Sequence, residues 1–422
     1  MGCVASGIRI CDRRRFPMRQ LEISDIEPRQ LGQRLQEARR ARGLTQQDVA
    51  EALTVARTTV TAMEKGERRV QPEDIIHMAA LYGRSVNDLM GAREPIEDFA
   101  VQFRTAVRSA GSAEVERDLE QAVSDFQILC EDYMHLERLC GTRLRQSYIP
   151  SYPISRTGIE AAAEEIAWTE HNRLGLGDGP IHNLRDLLEN EAAMRVFHID
   201  LPSRVAGMFS FSDDLGGCIA VNARHPQERR RWTMAHEYGH FLTSRYSSEI
   251  SILGTRGRIP AEERFADAFA RCFLMPATGL RRRFNQIRSA EARVTAADIC
   301  RMAYYYFVSV EAMTLRLEEL RLLPSGTWDR LKDRGFRVRE AQAHLGLEPR
   351  PDDEHRLPTR YRLLAVQAYE DELITEGELV RLLRTDRASA RRTVLDLTHM
   401  LHLEEEGEIA SLPIDLTGSL SV

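Results

Sequence analysis

No apolar stretch in this chain approaches the roughly 18 to 20 residues that a membrane-spanning helix needs, so no membrane span is expected. Cysteine is sparse as well. Seven are scattered through 422 residues, without a C-x-x-C pair, which excludes a disulfide framework and fits a reduced, cytoplasmic compartment. An excess of positive charge is also missing: 58 Lys and Arg stand against 64 Asp and Glu, for a net charge of -6. Any contact with nucleic acid must therefore come from a local basic surface. No repeat of solenoid period is present. Arg13, Arg14 and Arg15 are followed by no apolar segment, which argues against a secretory signal. Met1-Gly2-Cys3-Val4-Ala5-Ser6 does fit the myristoylation pattern M-G-x-x-x-[ST]. The favoured reading is that this stretch precedes a functional start near Met18, and that residues 1–28 form a disordered extension.

What is present is helical periodicity, enough apolar residues for ordinary cores (43%), and a length that suggests two to four domains. The pattern divides into short amphipathic segments over 29–91, a helical connector over 92–150, a mixed domain over 151–325 and a helical C-terminal region over 326–422. In the connector, Phe99, Phe103, Val107, Leu119, Val123, Phe126, Leu129 and Leu136 read either as a packed linker, which is favoured, or as a dimerisation helix pair. Tyr148-Ile149-Pro150-Ser151-Tyr152-Pro153 then breaks the helical pattern. A helix is expected over Gly158 to Leu174, and strands over 194–199, 206–211 and 218–222, with helices resuming from Gln227. The fold class is mainly α with a small β-sheet (α+β).

Thr45 caps a helix running to Leu53, with Asp48 placed for a capping box. A second helix runs from Ala56 to Glu64 after a short turn. Leu44, Val49, Leu53, Val55 and Val60 would meet between the two, which leaves Arg57, Thr58, Thr61 and Lys65 outward to approach base edges and phosphates. Arg39, Arg40, Arg42, Arg68 and Arg69 add a cationic rim. The pattern L-T-Q-x-x-[VL]-A-x-x-L-x-V-x-x-x-x-V-x-x-x-E-x-G over Leu44 to Gly66 resembles the Cro/C1-type (Xre) helix-turn-helix family, whose trailing helices fit Pro72 to Leu89. The resemblance implies an all-α domain that binds a double-stranded DNA operator, with Gln46 and Arg57 at phosphate or base edges and Thr58, Thr61 and Ala62 on the reading surface. Thr54 departs from the family at a turn that often holds glycine.

His236-Glu237-Tyr238-Gly239-His240 is H-E-x-x-H. Two histidines four apart on a helix reach one metal, and the glutamate between them is the natural general base. Thr243 and Tyr246 exclude the extended motif with a third histidine, so another ligand must come from elsewhere. The helix around Glu262 to Ala270 offers Glu263, with Asp267 one turn on to orient a ligand histidine. Ile219 to Asn222, Arg231 to His240 and Glu263 to Pro276 together resemble the ImmA/IrrE family of metallo-endopeptidases over about 155–325. That resemblance implies a zincin-like domain in which His236, His240 and Glu263 bind metal and Glu237 is catalytic. Zinc is the default, and manganese or iron suits the same ligands. It further implies a stress or mobile-element response in which a repressor of the Xre type is cleaved. Fusion of both modules in one chain also allows cleavage in cis, for example in the 92–155 connector. The alternative is a transcription factor whose metal site is sensory or a relic. A toxin–antitoxin pair fused in one chain is a third reading.

Gly175 to Gly179 reads as a helix-terminating turn rather than a nucleotide loop, and His182, His198 and His225 as surface or packing residues. Tyr304, Tyr305 and Tyr306 are oxyanion candidates by proximity in sequence alone. Near the C-terminus, Ile374 to Leu383 followed by Ala388 to Leu397 suggests a second helix-turn-helix-like unit. Its Arg384, Arg387, Arg391 and Arg392 read first as a solvated or protein-contacting face and second as a DNA contact.

Overall fold

The computed structural model describes residues 28–411, except 83–85, 91–98, 100–102, 104–112, 145–147, 150, 155–157, 248, 253–258, 292, 349, 351–354, 400–401 and 406–407. The N-terminal extension with its lipidation pattern, and Val107 of the connector, lie outside the described residues. The chain divides into two compact units, Met1–Glu94 and Pro95–Val422.

The first unit is all helical: α1 (Pro28–Ala41), α2 (Gln46–Leu53), α3 (Arg57–Glu64), α4 (Pro72–Tyr82) and α5 (Val86–Met90). The Thr45 hydroxyl accepts from the Asp48 amide, and the Asp48 carboxylate accepts from the Thr45 amide at 2.7 Å, so two orphan donors at the start of α2 are satisfied reciprocally. Val49 and Val60 are fully buried between α2 and α3, with Leu31, Leu35, Ile75 and Met78 closing the core. Thr54 takes the turn in the left-handed region, at φ 56°.

The second unit is built on a mixed sheet. Its elements are α6 (Ala113–Leu139), α7 (Ile159–Arg173), α8 (Leu184–Asn190), β1 (Arg195–Ile199), β2 (Val205–Ser212), β3 (Gly216–Asn222), α9 (Gln227–Ser244), β4 (Glu249–Ile252), α10 (Ala261–Leu274), α11 (Ala277–Glu291), α12 (Ala296–Tyr306), α13 (Val310–Glu319), α14 (Thr327–Asp333), α15 (Val338–His344), α16 (Thr359–Glu370), α17 (Glu376–Leu382), α18 (Arg387–His399), β5 (His402–Glu405) and β6 (Glu408–Ser411). The strands stand in the order β1-β3-β2-β4, with β1 parallel to β3 and the other pairs antiparallel. Helices do not simply resume after β3. The short strand β4 follows α9 and supplies the edge beside β2.

Side chains alternate across a strand, so one sheet has two faces to cover. Val196, Phe209, Ile219 and Val221 pack with α7, α9, α10 and α12. Phe197, Met208, Cys218 and Ala220 pack on the opposite side with α6 and the C-terminal helices. The connector helix α6 is therefore a structural layer, and its apolar positions Phe126, Leu129 and Leu136 are spent inside the unit. A buried ionic knot ties this layer down. Glu137 of α6 binds Arg195 of β1 at 2.7 Å and Arg360 of α16 at 2.6 Å. Among the described residues no helix is long and apolar enough to cross a membrane.

Candidate metal centre and DNA-binding face

The sheet places α9. Asn222, at the end of β3, donates to the carbonyls of Leu201, Pro202 and Val205 and so fixes the loop that carries the chain from β1 to β2. Arg231, in the second turn of α9, is buried and donates to the His182 and Ile181 carbonyls, which pins that helix start. Burial and the neighbouring Arg350 lower its guanidinium to about 10. Further along, a Cβ on Gly239 would stand 3.1 Å from Ala266 Cα and 3.2 Å from the Phe269 ring. Glycine is what lets α9 and α10 approach closely enough for their side chains to share a site.

Three of those side chains converge. His236, His240 and Glu263 each bring a ligand atom to within 4.8 Å of the others. The two Nε2 atoms are 3.1 Å apart, and the Glu263 carboxylate lies 3.5 Å from one and 3.3 Å from the other. The other ring nitrogen of His236 meets Asp267 at 2.9 Å, which fixes the ring and aims Nε2 at the cluster. Burial alone would lower the His236 pKa, yet bonds to Asp267 and Glu263, and the charge of Glu237, push it up to about 10. The local field thus favours a positive charge where the three ligands meet, and a divalent cation fits that donor set.

Glu237 faces the sheet side of the same helix and is fully buried. Its Oε1 accepts from Ser251 Oγ at 2.6 Å, while Oε2 is buried with no hydrogen-bond partner among the described residues. Burial raises its pKa, and His236, His240 and the Ser251 bond offset this only in part. Gly207 of β2 makes room: a Cβ there would fall 2.6 Å from Thr233 Cγ2 and 3.0 Å from Glu237 Oε1.

In the first unit, Arg57, Thr58 and Lys65 are exposed on α3 and its end. Gln46 and Thr61 are engaged. Thr61 donates to Gln46 at 3.1 Å, and Gln46 donates to Glu64 at 2.8 Å. Arg39 does not belong to the cationic rim. It is buried and bonded to Glu64 at 2.5 Å and to the Leu44 carbonyl at 2.8 Å. Arg40, Arg42, Arg68 and Arg69 are exposed as the rim requires.

Family models match two stretches of the chain: one described as a helix-turn-helix domain over residues 30–89, the other as an IrrE N-terminal-like domain of a peptidase family over 189–318. The chain is a fusion of these two domains. The peptidase family is of metallopeptidase type. No curated protein matches the chain. Among solved structures, ComR from Streptococcus suis matches at 10% identity, covering 89% of this chain and 90% of that one, with a TM-score of 0.15, which carries no argument.

The peptidase domain engages the tyrosines near its end elsewhere. Tyr304 stacks under Arg350, Tyr305 under Arg283, and Tyr306 donates to the Asp178 carbonyl. Of the other histidines, His198 is buried in β1, His225 bonds the Ser203 carbonyl, and the His182 ring packs on Phe307. The turn after α7 does end that helix, with Gly175 and Gly177 in the left-handed region. Ser251 escaped the sequence reading. Its strand offers only the alternation Glu249-Ile250-Ser251-Ile252, too short to register.

Proposed function

We propose that the chain is a DNA-binding transcriptional regulator carrying a metal-dependent endopeptidase, which cleaves a repressor-type protein or the chain itself in a stress or mobile-element response. The observation that carries this reading is the convergence of His236, His240 and Glu263 beside the buried, half-partnered carboxylate of Glu237. His236, His240 and Glu263 would hold zinc, with manganese or iron as substitutes, and Asp267 orients His236. Such an ion, when bound, supplies Lewis acidity toward a peptide carbonyl and acidifies water. Glu237 takes the proton of the attacking water at Oε2 while Ser251 holds Oε1, and later returns that proton to the leaving amine. The raised pKa of a buried carboxyl suits both transfers. At the other end of the chain, Arg57, Thr58, Thr61, Lys65 and Gln46 meet operator DNA, with Gln46 and Thr61 pre-set by Glu64.

Elemental mass spectrometry of the purified protein beside His240→Ala, with regulation of a reporter measured for Glu237→Gln, tests this reading. About one zinc per chain, lost in the first variant, and loss of regulation in the second with metal and DNA binding retained, are the expected results. Regulation that survives Glu237→Gln would turn the metal site into a sensor or a relic.

A further inference from the structure

Three times among the described residues a threonine caps a helix through a reciprocal box with an acid three residues on: Thr45 with Asp48, Thr295 with Asp298, Thr375 with Glu378. Each helix is followed by a left-handed residue, Thr54, Phe307 or Arg384, and then by a second helix. The first of these is the helix-turn-helix already described. The other two need separate accounts.

The middle copy is a packing device. On α13, Thr314 and Arg316 are buried, and Arg316 is bound to Glu164. Glu311 and Glu318 reach Trp328 of α14 at 2.8 Å each. An acidic face already in use does not meet phosphates.

The last copy follows the first position by position, without a gap. Val49 and Leu379 are buried in the leading helix, Val60 and Ala390 in the trailing one. Gln46 bonds Thr61 in the first; at the corresponding positions Glu376 binds Arg391 at 2.6 Å. The outward positions of α3, occupied by Arg57, Thr58, Thr61, Ala62 and Lys65, become Arg387, Ala388, Arg391, Arg392 and Leu395 on α18, all five exposed. Arg384 is exposed at the turn. Helix α16 precedes the pair, with Tyr361, Leu364, Ala365 and Ala368 in the core, and the antiparallel hairpin β5–β6 follows it. In a helix-turn-helix the second helix of the pair enters the major groove.

We propose that the α17–α18 pair forms a second double-stranded DNA contact, made by the outward face of α18 through Arg387, Arg391 and Arg392. On α18 and the turn before it, Arg384, Arg387, Arg391 and Arg392 are exposed and stand against Asp386, Asp396 and the Glu376 that binds Arg391. Arg391 leaves Glu376 for phosphate, a small loss because that pair is exposed. The exposed Leu395 offers an apolar contact of the kind that thymine methyl groups accept. This contact rests on residues separate from the N-terminal reading.

Fluorescence anisotropy of the full chain on a random-sequence DNA duplex, over a series of salt concentrations, tests it. Arg387→Ala with Arg392→Ala should weaken binding about tenfold at low salt and reduce the slope of log K against log salt by about 2, the effect of two lost phosphate contacts. Arg387→Lys with Arg392→Lys should restore most of both, since lysine also meets phosphate, and this excludes a folding defect. In a chain already carrying Arg57→Ala and Lys65→Ala, residual binding should persist and should depend on Arg387 and Arg392. Unchanged affinity and slope in the alanine pair, or complete loss of binding from the N-terminal pair alone, overturns the proposal and leaves α18 a solvated or protein-contacting face.

Discussion

Ser251 Oγ donates a 2.6 Å hydrogen bond to Glu237 Oε1, joining the edge strand β4 to the acid inside the H-E-x-x-H helix. Burial raises the Glu237 pKa and this bond lowers it. Removing the donor in Ser251→Ala should therefore push the carboxyl further up. A base must be ionised to accept a proton, so the acid limb of the peptidase pH profile should move to higher pH, with kcat/KM near neutrality falling about tenfold. Ser251→Thr keeps a hydroxyl and should keep the limb in place. A limb that does not move in the alanine variant would remove Ser251 from the positioning of Glu237.

In the proposed metal centre, Asp267 acts through His236 rather than on a substrate. Its carboxylate holds the ring at Nδ1, 2.9 Å away, and so decides where Nε2 points. Asp267→Ala should weaken metal affinity by about 10- to 100-fold in chelator competition, the range for a lost partner of a ligand histidine. Asp267→Asn retains an oxygen that accepts from Nδ1–H and should stay close to the wild type. Equal weakening in both variants would show that the charge of Asp267, not its geometry, matters.

Much of this arrangement was legible in the sequence for definable reasons. H-E-x-x-H and the helical register around Glu263 depend on local spacing, as do the Thr45 capping box and the alternation of β1 to β3. What was hidden depends on distance. Arg39 reads as a surface cation because nothing nearby in the chain neutralises it; its partner Glu64 lies on another helix. The role of α6 and the C-terminal helices in covering one sheet face is likewise invisible, since Glu137, Arg195 and Arg360 meet only when three distant segments fold together.

Thr54 pays for the turn between α2 and α3. A β-branched residue at φ 56° is strained, because its Cβ crowds the following carbonyl, whereas glycine adopts that conformation freely. Thr54→Gly should stabilise the first unit by about 0.5 to 1 kcal/mol, the relief of strain outweighing the larger entropy of an unfolded glycine. Slower hydrogen exchange at the buried Val49 and Val60 amides of the full chain would report it. Faster exchange would mean that the threonine side chain contributes more than the strain costs.

Acid should open the first unit through Glu64. Burial alone would raise its pKa, but hydrogen bonds from Arg39, Gln46 and Gln36 overcome that and hold the carboxyl below its ordinary range. A folded pKa below the unfolded one contributes stability that is present above the unfolded value, about 4.3, and is lost as pH falls through the folded value. Exchange protection at Val49 and Val60 should therefore fall on the acid side of that pH, with Glu64 among its causes. Glu64→Gln removes this dependence and leaves the Arg39 guanidinium without its counter-charge. At neutral pH that should destabilise the unit by roughly 2 to 3 kcal/mol, somewhat less than for a fully dry pair because Arg39 keeps slight solvent contact. The same variant leaves Gln46 and Arg39 to compete for one remaining acceptor oxygen, so DNA binding should weaken even where the unit stays folded. Intact binding in a folded Glu64→Gln protein would separate the Glu64 network from the reading surface and confine its role to stability.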